Sequence, residues 1–400
     1  MNQKIEFLPV PGLRLGTVCA GIKKPDHRDL VVIELAEGTH TAAVFTRNAF
    51  CAAPVIVARD HLSLKMPRYL VINTGNANAG TGQSGIEDTI ECCAALAAQA
   101  SCLTEEVLPF STGVIGEPLP VEPITHAFPI VLGQLAEAGW EDAAWGIMTT
   151  DTVPKLVSRQ VMIDGVNITV TGMAKGAGMI RPDMATMLAY IATDAAVESD
   201  GLQQCLQQAV ERSFNRITVD GDTSTNDACL LMATGKSGVR LVVDSDGFKT
   251  LCQAVEEVCG ALARDIIRDG EGATKLITVA VDEGQSEAEC LDVAYTIAHS
   301  PLVKTAFFAG DPNWGRILAA VGRTGLDGLV LDRIDIYLDE VCIVRQGSRA
   351  PDYTEAKGQS VMARDEITIR VTLGRGTAKA EIWTCDFSYD YIRINAEYRT

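Results

Sequence analysis

Apolar and polar positions along the chain follow the two periods that strands and helices require. Runs of β-branched and other apolar residues predict strands at 30–35, 41–46, 69–73, 277–281, 334–344, 367–373 and 380–384. Helical spacing of apolar residues predicts helices at 86–100, 201–214 and 251–268. Two β-branched runs flank Asp164-Gly165, which predicts a hairpin over 159–171 because this dipeptide favours a tight turn. Strands and helices mix without strict alternation, which favours a layered α+β fold over a doubly wound parallel sheet.

Glycine is concentrated in a few short segments, which the pattern predicts as loops. These segments are 73–85, 111–116, 172–178, 269–272 and 309–315. A backbone without side chains lets a ligand approach closely, although any one such segment is also typical of an ordinary turn.

Composition and charge narrow the class of protein. The chain has 400 residues, of which 47% are hydrophobic, and this is enough for a large core. Lysine and arginine total 34 against 52 acidic residues, so the net charge of −18 argues against nucleic acid as the main ligand. No apolar run reaches the length of about 18 residues that a membrane span needs. The twelve cysteines contain no Cys-x-x-Cys pair, and we expect reduced thiols in a cytoplasmic protein without a secretory signal.

Several familiar motifs are incomplete in this chain. Gly235-Lys236-Ser237 resembles the end of a phosphate loop, but Leu230 stands where its first glycine belongs. Gly176-Ala177-Gly178 begins like a dinucleotide fingerprint, but Arg181 replaces the third glycine. The five histidines form neither a zinc pair nor a serine–histidine arrangement, so we expect no metal site and no histidine base.

One segment carries a more specific signal. A basic, glycine-rich run from Lys175 leads through Arg181 to Ala185-Thr186, and an apolar stretch follows at 187–191. This segment resembles the self-cleavage signature of the ornithine acetyltransferase family, the bifunctional glutamate N-acetyltransferases of arginine biosynthesis. Seven further blocks resemble the family in the same order, at 73–79, 111–116, 149–151, 215–227, 269–275, 310–316 and 395–400.

The resemblance implies a layered α/β sandwich of the self-cleaving, N-terminal-nucleophile type. The chain would be cut between Ala185 and Thr186 into fragments 1–185 and 186–400, which stay together as an α2β2 assembly. Cleavage would give Thr186 a free α-amine with a pKa of about 7.7–8.0. Thr186 would then supply both the nucleophilic hydroxyl and its base, which agrees with the lack of a catalytic histidine pattern.

The resemblance also implies roles for other residues. Thr112 and the backbone N–H of Gly113 would form the oxyanion hole. The substrate site would be lined by Thr149, Lys175, Thr186, Glu271, Asn395 and Thr400. Lys175 suits a substrate carboxylate, and Glu271 suits the δ-ammonium of ornithine. Thr150 stays open as an alternative to its neighbour Thr149, and the terminal carboxylate of Thr400 is a further candidate contact.

The implied reaction moves the acetyl group of N2-acetylornithine to glutamate through an acetyl ester on Thr186. It yields ornithine and N-acetylglutamate, and it needs no cofactor. Acetyl-CoA stays open as a second donor. One alternative is an N-terminal-nucleophile aminopeptidase or amidohydrolase of related fold, although those enzymes usually present serine. A non-catalytic amino-acid sensor is the alternative from another class.

Overall fold

The computed structural model describes residues 7–23, 26–181 and 187–397. The chain forms two compact units: the first comprises Met1–Asn215 and Asp222–Ile266, and the second comprises Arg216–Gly221 and Ile267–Thr400. The predicted cleavage bond between Ala185 and Thr186, and the predicted substrate residue Thr400, lie outside the described residues. The division into fragments 1–185 and 186–400 therefore stays a prediction.

The described elements follow one another in mixed order. The strands are β1 (Leu13–Val18), β2 (Leu30–Leu35), β3 (His40–Phe45), β4 (Tyr69–Asn76), β5 (Val107–Val114), β6 (Lys155–Ile163), β7 (Val166–Lys175), β8 (Leu188–Thr193), β9 (Ala196–Val197), β10 (Ile217–Thr218), β11 (Ala228–Ala233), β12 (Arg240–Leu241), β13 (Leu276–Gly284), β14 (Asp335–Leu338), β15 (Val341–Arg345), β16 (Ser348–Arg349), β17 (Glu366–Thr372) and β18 (Ala378–Cys385). The α-helices are α1 (Ala53–Leu64), α2 (Gly82–Ala100), α3 (Val121–Gly133), α4 (Trp140–Gly146), α5 (Ser199–Glu211), α6 (Asp246–Arg268), α7 (Glu287–Ala298), α8 (Pro301–Phe308), α9 (Trp314–Gly322), α10 (Glu355–Met362) and α11 (Tyr389–Ala396).

Two sheets form the centre of the first unit. One sheet has the order β1-β2-β4-β5, and the other has the order β3-β11-β8-β7-β6. Their facing side chains make one apolar core, in which Ile72 and Phe110 of the first sheet meet Tyr190 and Leu230 of the second. The rings of Phe110 and Tyr190 pack edge to face with centroids 5.4 Å apart, a favoured aromatic geometry.

Helices cover the outer faces of both sheets in the first unit. Leu96 of α2 and Phe128 of α3 pack on the four-stranded sheet in a second apolar cluster with Val71. Helix α6 lies so close to the five-stranded sheet that a Cβ on Gly172 would stand 2.9 Å from the side chain of Val258. The resulting layers are helix, sheet, sheet and helix, and they confirm the predicted layered α+β class.

The second unit contains one mixed sheet of order β10-β18-β13-β17-β14-β15-β16. Alternating residues of its central strands, such as Val279 and Ile369, are fully buried, as a strand covered on one face requires. They pack with apolar side chains of α7, α9 and α10, including Val293, Ile317 and Val361.

The sequence pattern is confirmed in some elements and wrong in others. The predicted hairpin is β6–β7, and its turn has Asp164 at φ 51° and Gly165 at φ 78°, as a type I′ turn requires. The single strand predicted at 334–344 is wrong, because a turn at Asp339 divides it into β14 and β15. Three predicted loops are also wrong in part, since 73–76, 111–114 and 172–175 belong to strands.

Two further predictions concern the cysteines and membrane-spanning helices. All twelve cysteines lie in the described part as free thiols, and most of them are buried. Among the described residues, no helix is both long and apolar enough to cross a bilayer.

Candidate active site

Strand register brings distant parts of the first unit together at one end of the five-stranded sheet. Lys175, the last residue of β7, pairs with Leu188 at the start of β8, and Leu188 pairs with Ala228 at the start of β11. Lys175, Met187 and Asp227 therefore meet at this end, although they are far apart in sequence. Met187 directly follows Thr186 in the sequence and leads into β8.

Lys175 is directed toward the predicted oxyanion residue Thr112. Its side chain is buried, and its Nζ atom donates a hydrogen bond to Thr112 Oγ1 at 3.1 Å. The threonine oxygen accepts in this bond, so the hydroxyl keeps its own hydrogen for a different acceptor. A nearby ammonium also strengthens that hydroxyl as a donor, because charge-assisted bonds polarise the group they reach.

Gly113 occupies a position that only glycine can fill. It lies on β5 opposite Gly75 of β4, where the pairing of the two strands becomes irregular. Its φ is 139°, and a Cβ would stand 2.2 Å from the carbonyl carbon of Gly75. The close approach of two backbones, rather than a loop, explains this glycine. The structure thus brings Thr112 and Gly113 to a strand end, and their joint role as an oxyanion hole stays a prediction.

Asp151 connects the predicted substrate residue Thr149 to the chain that follows Lys175. Its Oδ2 atom accepts the backbone N–H of Thr149 at 3.1 Å, and its Oδ1 atom accepts the N–H of Gly176 at 2.7 Å. Oδ1 also accepts the buried Lys155 ammonium at 2.6 Å. Burial acts to raise the pKa of Asp151, but Lys155, Lys175 and these hydrogen bonds outweigh it and lower the pKa to about 2.

Replacing Asp151 with alanine should lower the free energy of unfolding by about 3–5 kcal/mol, because it leaves Lys155 buried without its carboxylate. Urea unfolding would measure the loss, with Asp142→Ala as control. Asp142 forms an exposed ion pair with Arg28, and exposed pairs contribute at most about 1 kcal/mol. The pKa of Asp151 is lower in the folded protein than in the unfolded chain. The wild type should therefore be more stable to unfolding than Asp151→Ala at neutral pH. This advantage should diminish as the pH falls from about 4 toward 2, because Asp151 is then protonated. Equal losses in the two variants would contradict this assignment.

Two more predicted substrate residues meet within the second unit. Glu271 is buried, and its Oε2 atom accepts a hydrogen bond from Nδ2 of Asn395 at 2.7 Å. Asn395 lies on α11, and the adjoining Gly272 carbonyl accepts the Ser388 hydroxyl at 2.6 Å. These bonds join the glycine-containing segment at 269–272 to the C-terminal helix. They give the carboxylate a fixed position inside the unit.

Sequence reasoning gave no role to several polar residues beside the predicted site. They are Asp151, Lys155, Asn226 and Asp227. Asp151 and Asp227 lie within sequence blocks that resemble the family, and this position is the one sequence signal that could have identified them. Nothing in the spacing shows that these side chains are buried or which backbone groups they bind.

The layers, with buried polar groups at their strand ends, define a layered α+β protein. Residues 14–400 match the ArgJ family, and the chain belongs to this family. The arginine biosynthesis bifunctional protein ArgJ of Pseudomonas fluorescens is 58% identical over 98% of this chain and 97% of that protein.

Solved structures are also known for proteins that this chain resembles. The arginine biosynthesis bifunctional protein argJ of Bacillus halodurans is 39% identical, with a TM-score of 0.51 over 53% of this chain and 99% of that chain. The ornithine acetyltransferase of Mycobacterium tuberculosis, in complex with ornithine, is 34% identical, with a TM-score of 0.39 over 45% of this chain and 93% of that chain.

Proposed function

We propose that this chain is a self-cleaving acetyltransferase that moves the acetyl group of N2-acetylornithine to glutamate through an acetyl ester on Thr186. The observation that carries the proposal is the hydrogen bond from Lys175 Nζ to Thr112 Oγ1. In a member of the ArgJ family, this contact supports a threonine hydroxyl that is prepared to stabilise an oxyanion.

The proposed reaction has two similar halves. The Thr186 hydroxyl attacks the acetyl carbonyl while its own α-amine takes the proton, and the oxyanion is bound by Thr112 and Gly113. The bond from carbon to the ornithine nitrogen breaks, and that nitrogen receives the proton. The amine of glutamate then attacks the ester, and the Thr186 oxygen leaves with a proton to restore the enzyme.

Charge supports the assignment of the substrate groups. Lys175 offers an ammonium to the α-carboxylate of the acetylated amino acid. Glu271 offers a carboxylate to the δ-ammonium of ornithine. Asn395, which donates a hydrogen bond to this carboxylate, is a neutral amide and does not compensate its negative charge. Thr149 and Thr400 complete the proposed set, with Thr150 as the alternative to Thr149.

Chain length supports the proposed cleavage. The alignment with the Bacillus halodurans chain includes 99% of that chain but only 53% of this one. The Bacillus halodurans chain is therefore about half as long as this chain. A cut before Thr186 would give a C-terminal fragment of 215 of the 400 residues, which is a similar share.

We extend the proposal to an α2β2 assembly of the two fragments and to a cytoplasmic location.

Product analysis tests the proposed function against the hydrolase alternative. The purified protein is incubated with N2-acetylornithine, with and without glutamate, and the products are separated by mass. We expect N-acetylglutamate to form in proportion to the ornithine released. Release of free acetate at the same rate with or without glutamate would contradict the proposal and favour an amidohydrolase. A parallel incubation of acetyl-CoA with glutamate decides whether it serves as a second donor.

A further inference from the structure

Asp386 is a fully buried carboxyl group of the second unit to which the proposed mechanism gives no role. Its Oδ1 atom accepts the backbone N–H groups of Thr274 and Lys275 at 2.8 and 2.9 Å. Its Oδ2 atom accepts the hydroxyl of Thr274 at 2.5 Å. Burying a carboxyl group is costly, and these hydrogen bonds to two adjacent residues offset the cost. Asp386 therefore fixes the backbone at 274–275.

The residues directly before Thr274 form the turn that carries Glu271. The carbonyl of Gly270 accepts the N–H of Ala273 at 2.8 Å, which places Glu271 and the next residue at the centre of a β-turn. That next residue, Gly272, has a φ of 69°, a conformation that favours glycine. Because the turn is short and adjoins Thr274, a shift of the held backbone would move the carboxylate of Glu271.

The C-terminal helix α11 and the residue before it contact the same turn. The Ser388 hydroxyl donates to the Gly272 carbonyl at 2.6 Å, and the Asn395 amide donates to Glu271 at 2.7 Å. A Cβ on Gly272 would stand 2.6 Å from the backbone nitrogen of Tyr391, so the turn and the helix pack at close range. One short C-terminal segment thus supplies several of the contacts that hold the turn.

Asp386 is itself held through its two neighbours by Lys304. The side chain of Lys304 is 1% exposed, and its ammonium donates to the carbonyl oxygen of Cys385. The same ammonium lies 4.5 Å from the ring centroid of Phe387. The Phe387 N–H in turn donates to the Lys304 carbonyl at 3.3 Å. These contacts reach the residues before and after Asp386, so its carboxylate holds the turn from a fixed position.

We propose that Asp386 is a positioning residue for the recognition of ornithine. It holds the turn of Glu271, and it thereby sets where that carboxylate meets the δ-ammonium of the substrate. This inference rests on the proposed function, since it presumes that Glu271 binds this ammonium. Asp386 acts through Glu271 and is assigned no contact of its own with the substrate.

A comparison of two acetyl donors isolates the contact between Glu271 and the δ-ammonium. N-acetylnorvaline has the carbon chain of N2-acetylornithine without the δ-amine, so it cannot make this contact. We define the donor ratio as kcat/KM for N2-acetylornithine divided by kcat/KM for N-acetylnorvaline. A charge-assisted hydrogen bond should contribute about 10-fold to 10²-fold to this ratio. Since the δ-ammonium is remote from the reacting acetyl group, its loss of contact should raise KM at nearly constant kcat.

The experiment compares the full-length wild type with Asp386→Ala, Asp386→Asn, Glu271→Gln and the double variant Asp386→Ala/Glu271→Gln. The donor ratio is measured at saturating glutamate, self-cleavage by mass and folding by circular dichroism. We expect Asp386→Ala to lower the ratio about tenfold and to leave self-cleavage unchanged, because cleavage uses no ornithine. Asp386→Asn should recover most of the ratio, because its amide oxygen accepts the same two N–H groups. In the Glu271→Gln background, Asp386→Ala should cause no further loss, because the group it acts through is already changed.

Asp339 provides a matched control in the same unit. It lies in the turn between β14 and β15, and its Oδ1 atom accepts the backbone N–H of Thr368 at 2.7 Å. Asp339→Ala therefore removes a carboxyl group that fixes the backbone of β17 instead of the turn of Glu271. We expect this variant to keep the donor ratio within about twofold of the wild type, as for an independent site.

The outcomes separate this inference from the proposed function. A wild type that transfers no acetyl group from N2-acetylornithine refutes the proposed function and the inference with it. An active wild type with a folded Asp386→Ala of unchanged donor ratio overturns the positioning role alone. An equal loss in Asp339→Ala, or a further loss in the double variant, overturns it as well. If Asp386→Ala does not fold, the test rests on Thr274→Val, which removes the hydroxyl bond to Asp386: a lower ratio supports the inference, and an unchanged ratio overturns it.

Discussion

Replacing Thr186 with alanine is expected to leave one intact chain of 400 residues that transfers no acetyl group. Without its hydroxyl, residue 186 cannot attack the Ala185 carbonyl, so the N-to-O acyl shift that begins cleavage does not occur. The wild type should instead give fragments of roughly 20 and 23 kDa, from 42.8 kDa divided at residue 186. Mass spectrometry of the purified proteins distinguishes the two outcomes directly.

Thr186→Ser is the matched variant for this experiment. Serine retains a hydroxyl and gains the same free α-amine on cleavage, so both cleavage and transfer should persist at reduced rates. An alanine variant that is still cut between residues 185 and 186 would show that another group performs the cleavage. An alanine variant that still transfers acetyl would remove Thr186 from the mechanism.

Replacing Thr112 with alanine should lower kcat for acetyl transfer by about 10²–10³, or roughly 3–4 kcal/mol in the barrier. The lost hydroxyl is the group that Lys175 contacts, and its proposed hydrogen bond forms to the oxyanion of the transition state. KM should therefore change much less than kcat. Steady-state kinetics with varied N2-acetylornithine at saturating glutamate measures both parameters.

Thr74 provides the control, because it pairs with Thr112 across β4 and β5. It is buried, and its hydroxyl donates to the Gly146 carbonyl at 3.1 Å, so Thr74→Ala removes a similar group without touching Lys175. We expect kcat within about threefold of the wild type for this variant. A folded Thr112→Ala with wild-type kcat, or equal losses in both variants, would exclude the oxyanion role.

The sequence predicts local features of this chain better than features that depend on register. The turn at Asp164-Gly165 is determined by two adjacent residues, and the hairpin forms as predicted. Gly113, in contrast, resembles a loop residue because glycine is common in loops. Its position follows from the approach of Gly75 on another strand, which no local pattern reveals.

The charged groups of the candidate site also depend on contacts that the local sequence pattern does not reveal. Lys175 and Thr112 are identified by their resemblance to a family, but their contact depends on how the two sheets of the first unit pack. Asp151 and Asp227 are of a residue type that is usually exposed. Their burial follows from strand pairings between segments distant in sequence, so composition and spacing give no sign of it.

Isotope exchange tests the central claim, an acetyl ester on Thr186, most directly. The enzyme is incubated with N2-acetylornithine and labelled ornithine in the absence of glutamate. If the ester forms, label should enter N2-acetylornithine, and the fragment that begins at Thr186 should gain the mass of one acetyl group. In direct transfer, the amine of glutamate would attack N2-acetylornithine in a ternary complex with Thr186 serving only as base. No exchange and no acetylated fragment, from an enzyme that still forms N-acetylglutamate when glutamate is added, would contradict the account.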